Sequence, residues 1–130
     1  MPQVLVVDDD PAQIKIWRLV LESSGHRIDS ADTLDGAIAQ LAAVGPDILV
    51  MDLRLPDLKN GLTLIRKAAE RDGTRIVVLS GWPQDLEALP ERKFVHRLLG
   101  KPVRPNTLLR HIAELTLSIS ACYCIFLALL

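Results

Sequence analysis

Ile48-Leu49-Val50-Met51-Asp52 is an unbroken apolar run that stops on a carboxylate. Four apolar residues without polar alternation read as a strand covered on both faces, which means a parallel strand lying between layers of helix. The same pattern recurs on either side. Val4-Leu5-Val6-Val7 runs into Asp8-Asp9-Asp10, and Ile76-Val77-Val78-Leu79 runs into Ser80-Gly81. His26 to Ser30 and Lys93 to Leu99 are weaker strand candidates. No internal repeat is evident.

Helix-like segments fill the gaps. Asp10 is placed to cap a first helix with Pro11 in its first turn, where a missing N–H costs nothing. Ile14, Trp17, Val20 and Leu21 mark its apolar face, and Gly25 supplies a left-handed end. Leu34 to Ala43, Gly61 to Arg71 and Asn106 to Leu117 follow as helices, with a short one from Pro83 to Leu89 cut off by Pro90. Five strands alternating with five helices predict an α/β fold, a doubly wound parallel sheet in three layers.

The 130 residues are enough for one domain, and an apolar fraction of 49% is enough for a core. A net charge of -1 gives no electrostatic footprint for direct nucleic-acid binding. The N-terminal residues carry neither the cationic start nor the apolar stretch of a signal peptide. Cys122 and Cys124 stand two apart in an apolar run and read as small apolar residues rather than a disulfide or a metal site. These features predict a cytoplasmic setting.

In doubly wound sheets, ligands bind beyond the carboxyl ends of the strands. The residues there are Asp8, Asp9 and Asp10, then Asp52, Ser80 and Lys101. Each has an ordinary reading taken singly, as a turn, a cap or a loop residue. Together they would set a carboxylate cluster, a hydroxyl and an ammonium in one cleft. Close carboxylates repel, and a dication relieves the conflict; an open, all-oxygen site suits Mg2+. A carboxylate in such a site can act as nucleophile towards phosphorus.

Val4 to Pro11, Asp47 to Asp57, Asn60-Gly61-Leu62, Val77 to Gly81 and Gly100-Lys101-Pro102-Val103 together resemble the receiver domains of two-component response regulators, over roughly residues 3 to 115. The resemblance implies a flavodoxin-like strand order of 2-1-3-4-5. It implies that Asp52 accepts a phosphoryl group from a histidine kinase or histidine phosphotransfer protein. By the same resemblance Asp8, Asp9 and Asp52 hold Mg2+ with the backbone carbonyl of Arg54. Ser80 is then the switch hydroxyl, and Lys101 contacts the phosphoryl group. Such a chain is no enzyme beyond promoting its own phosphorylation and hydrolysing the product. Its downstream partner is not specified, and homodimerisation through the fourth helix, fifth strand and fifth helix is open, as in relatives.

The sequence departs from the family pattern at four points. Leu98 stands where an aromatic switch residue is usual. The loop after Asp52 is one residue longer, with Lys59-Asn60 before Gly61. The fourth helix is short, and residues 115–130 carry no charge at all. The reading divides the chain into a receiver at 1–117 and an apolar tail at 118–130. Sixteen uncharged helical residues would span about 24 Å, short of the roughly 30 Å hydrocarbon core of a membrane. The tail is therefore a marginal anchor, a packed extension or the product of a reading-frame change, with membrane contact not favoured. Two rival functions stand beside the receiver. One is a receiver-fold interaction module that does not signal by phosphate. The other is a haloacid-dehalogenase-type phosphatase using Asp8 and Asp10.

Overall fold

The apolar run at residues 4–7 forms the first strand, β1 (Gln3–Val7), with four of its five residues buried. It is followed by α1 (Pro11–Ser23), β2 (Arg27–Ala31), α2 (Leu34–Val44), β3 (Ile48–Asp52), α3 (Leu58–Ala69), β4 (Arg75–Ser80), α4 (Gln84–Glu87), a 3-10 turn (Pro90–Phe94) and β5 (Arg97–Gly100). A last helix, α5, covers 105–116. The computed structural model describes residues 2–116. The tail at 118–130, its boundary and its cysteines lie outside the described residues.

The strands form one parallel sheet in the order β2-β1-β3-β4-β5, as expected. The register is continuous: Val4 pairs with Ile48, Ile48 with Arg75 and Val77 with Arg97. Strand side chains alternate between faces, and this splits the core in two. Leu5, Val7, Leu49, Met51, Ile76 and Val78 pack beneath α2, α3 and α4. Val4, Val6, Ile48, Val50, Val77 and Leu79 pack on the other face with Trp17 and Leu21 of α1 and Leu108, Ile112 and Leu115 of α5. Both faces are covered, which is why the strands read as solid apolar runs.

Local signals set the helix ends. Asp10 caps α1, its carboxylate accepting the Ala12 amide at 3.0 Å. Gly25 takes the left-handed conformation (φ 86°) just past Ser24. Thr33 caps α2 and Asp57 caps α3.

Most boundaries shift by a residue or two from the sequence reading, and the larger differences have local causes. α3 starts three residues before Gly61, because Asp57 receives the Asn60 amide at 2.9 Å and Gly61 is a helix-interior residue. A Cβ at Gly61 would run into the Leu53 carbonyl, so this glycine lets α3 press onto the end of β3. At the other end of the sheet, Pro90 opens a 3-10 turn through Phe94, so the strand expected from Lys93 begins only at Arg97. β2 is shifted one residue on, to Arg27–Ala31.

Candidate functional site

Every strand-end residue singled out from the sequence reaches the same edge of the sheet. Asp8 and Asp9 leave β1, Asp52 ends β3, Ser80 ends β4 and Lys101 follows β5. β4 pairs with β5 up to Ser80 and Gly100, and the Lys101 amide donates to the Ser80 carbonyl at 2.8 Å. Asp8, Asp9, Asp52 and Lys101 line a cleft of roughly 650 Å3 whose walls also include Gln13 and Trp17 of α1, Leu79, and Pro102 and Val103 after β5; Ser80 lies beneath it, buried beside Leu79.

Asp8, Asp9 and Asp52 each offer a carboxylate oxygen, all within 4.8 Å of one another. Asp8 is only 4% exposed. Its pKa is pushed up to about 6, chiefly by burial and further by the charges of Asp52 and Asp9. The Asp10 amide, which donates to Asp8 Oδ1 at 2.9 Å, and the Lys101 charge oppose the shift. Lys101 Nζ lies 3.2 Å from Asp52 Oδ1. One ammonium against three carboxylates leaves two negative charges when all are ionised. A divalent cation cancels that excess, and oxygen donors at this spacing suit a small hard ion. The donor set thus fits the expected metal on chemistry and charge alike.

The Ser80 hydroxyl is buried and accepts the Trp82 amide at 3.0 Å. Arg54 sits two residues past Asp52, and its side chain pairs outside the Asp8, Asp9 and Asp52 cluster. Its Nη2 bonds Asp85 of α4 at 2.7 Å, and its guanidinium lies 5.3 Å from the centre of the exposed Trp82 ring. Sequence reasoning missed Trp82 and Asp85. The usable signal was position: both follow closely on the strand end that carries Ser80. Leu98 is half-buried and packs against the core under α2, α3 and α4. Asp10, required by the phosphatase alternative, is exposed and spent as the α1 cap.

The response regulator receiver domain family model matches residues 4–113. The chain belongs to that family. This receiver domain is 29% identical over 116 residues to the protein PilH of Pseudomonas aeruginosa, covering 86% of this chain and 95% of PilH. It is 40% identical over 70 residues to the transcriptional regulatory protein TrcR of Mycobacterium tuberculosis, and 32% identical over 89 residues to the KDP operon regulator KdpE of Escherichia coli. Those matches take in 54% and 68% of the chain but only 27% of TrcR and 39% of KdpE. Among solved structures, a CheY-like receiver domain from Methanospirillum hungatei is 26% identical, with a TM-score of 0.75 over 88% of this chain and 92% of that one. The response regulator TrrA from Thermotoga maritima, solved in complex with Mg(2+)-BeF, shares the fold at 21% identity, with a TM-score of 0.79 over 88% of this chain and 99% of that one. The receiver is thus a phosphoacceptor domain of two-component signalling. Among the described residues no helix is long and apolar enough to cross a membrane.

Proposed function

We propose that Asp52 is the residue phosphorylated in this receiver, with Asp8, Asp9 and the Arg54 backbone carbonyl completing a Mg2+ site. Lys101 and Ser80 then serve as the phosphoryl-binding cation and hydroxyl. The observation that carries this reading is the convergence of Asp8, Asp9 and Asp52 within 4.8 Å beside the Lys101 ammonium. When bound, Mg2+ supplies positive charge to the phosphoryl oxygens and quiets repulsion among the carboxylates.

The rest follows from the chain's own groups. The pair with Lys101 holds the Asp52 carboxylate in place for attack. An oxygen of Asp52 forms the new bond to phosphorus as the bond to the donor breaks. From a phosphohistidine donor, the leaving imidazole nitrogen takes up a proton. Lys101 is already close enough to follow the charge from the carboxylate onto the phosphoryl oxygens, so little reorganisation is needed. The Ser80 hydroxyl donates to one of those oxygens and carries the β4–α4 loop with it. Hydrolysis of the acyl phosphate by water resets the site.

The donor in this reading is a histidine kinase or phosphotransfer protein, and a cytoplasmic location goes with it. The output is a changed protein-binding face around α4, β5 and α5, offered to a downstream protein or to a second copy of the chain. The test is incubation with acetyl phosphate and Mg2+, read by intact mass on the wild type and on Asp52→Ala. Gain of one phosphoryl group by the wild type alone is expected. A folded wild type that gains nothing would leave a receiver-fold interaction module as the better account.

A further inference from the structure

Phosphorylation leaves the site one charge out of balance. Before it, three carboxylates are offset by Lys101 and a divalent ion. Afterwards the charge of Asp52 is consumed in the acyl bond, but the phosphoryl group brings two negative charges. With Asp8 and Asp9 still present, one negative charge is left over. Among the described residues, the nearest further cation along the chain is Arg54. Leu53 still bonds through its amide to Leu79, so the chain is held against β4 for one residue past the end of β3. Leu53 is fully buried while Asp52 and Arg54 are not. Arg54 follows Asp52 by two residues and its guanidinium reaches the ring of Trp82, two residues past Ser80, so it lies between the loops that leave the ends of β3 and β4.

We propose that Arg54 is the second cation of the phosphorylated site: its guanidinium leaves Asp85 and Trp82 for the phosphoryl oxygens, and α4 is freed as it goes. The inference rests on Asp52 being the phosphoacceptor. The exchange is favoured for three reasons. The Arg54–Asp85 pair is exposed, with half of the Arg54 side chain in solvent, and such pairs are held weakly. A phosphoryl dianion offers twice the charge of Asp85 and accepts the guanidinium fork in bidentate fashion. The element released is also lightly anchored, since α4 has four residues, no side-chain cap and only Leu86 buried.

Trp82 is where both effects meet. Its amide holds the Ser80 hydroxyl and its ring carries the Arg54 guanidinium. A shift of Ser80 towards the phosphate and the departure of Arg54 therefore both disturb the same residue. This gives the receiver a route from site to surface that does not need an aromatic residue at Leu98. The face that partners read is then Trp82 with the start of α4.

Tryptophan fluorescence tests the proposal. The chain has two tryptophans; Trp82 is 57% exposed and Trp17 7%, so acrylamide selects Trp82. Trp17→Phe isolates it outright. With acetyl phosphate and Mg2+, and with uptake followed by intact mass, phosphorylation should red-shift the Trp82 emission and raise its quenching constant. Arg54→Gln should show the shifted emission without phosphate and change little further when phosphorylated. Asp85→Asn should take up phosphate and move part of the way before doing so. Phosphorylated protein whose Trp82 emission is unchanged would overturn the proposal. So would an Arg54→Gln variant that still shows the full phosphorylation-dependent shift. Absence of any mass gain would instead remove the phosphoacceptor reading, and this proposal with it.

Discussion

Replacing Asp8 by asparagine should stabilise the metal-free receiver while weakening its grip on Mg2+. Asp8 is buried and its pKa is pushed up to about 6 from an ordinary 3.8. Keeping it ionised at pH 8 costs about 3 kcal/mol. The sign follows from proton binding. Between pH 4 and 6 the folded protein holds a proton on Asp8 that the unfolded chain has lost. Stability therefore falls as pH rises through that window and is level above about pH 7. At pH 5 the penalty is roughly half its full size. Asparagine has nearly the same shape and keeps an oxygen to accept the Asp10 amide, so the change removes charge and little else. For a domain of this size the variant should melt up to about 11 °C higher at pH 8, and about half as much higher at pH 5. Thermal melts at the two pH values, with and without millimolar Mg2+, provide the check. Mg2+ should raise the melting temperature of the wild type and do much less for the variant. A variant that melts no higher than the wild type at pH 8, or a gap that fails to narrow at pH 5, would refute the argument.

Other expectations concern neighbouring features. Lys101→Ala should slow phosphoryl uptake from acetyl phosphate by roughly 100-fold or more, while melting changes little because the Lys101–Asp52 pair is partly exposed; equal uptake rates would count against a role for this lysine. Gly61→Ala should destabilise by about 1–3 kcal/mol in urea titrations, since the methyl group must displace the Leu53 backbone next to Asp52. His96 accepts the Ile76 amide on Nδ1 at 3.0 Å, and burial with the Arg75 and Arg97 charges lowers its pKa. The unfolded chain then binds a proton below about pH 6.5 that the folded chain does not, so this group's contribution to stability is lost as pH falls from there. His96→Ala should cost about 1–2 kcal/mol at pH 8 and flatten that acid-side loss in melts taken at pH 5.5 and 8.

The central fold was legible because the cause of the pattern and the cause of the structure are the same. Runs such as Val4–Val7 and Ile48–Met51 lack polar alternation because helices cover both faces of the sheet. The site was legible for a related reason: strand ends are where a buried run must meet solvent, and Asp8, Asp52, Ser80 and Lys101 stand there. The misreadings fall where a local rule met a tertiary one. Gly61 looked like the start of a helix, yet it is an interior residue whose missing side chain admits a neighbouring carbonyl. Pro90 was read as a terminator and is also an initiator, of the 3-10 turn that delays β5. The Arg54–Asp85 pair joins residues 31 apart in sequence. No period or motif announces such a meeting; it depends on how the β3 and β4 ends are set side by side.

The two-sided core has a consequence for how this molecule can carry news. Along β1, β3 and β4 nearly every side chain is already claimed by one of the two packed layers. Close-packed interiors yield little to small changes of volume, so the middle of the sheet is a poor conductor. Under the proposed assignment, a change made at Asp52 must leave along the rim, through loops such as the one from Ser80 to Gln84 that belong to neither layer. The sheet acts as a chassis that holds the writing point still, and the vocabulary of the receiver is confined to the few residues at its edge.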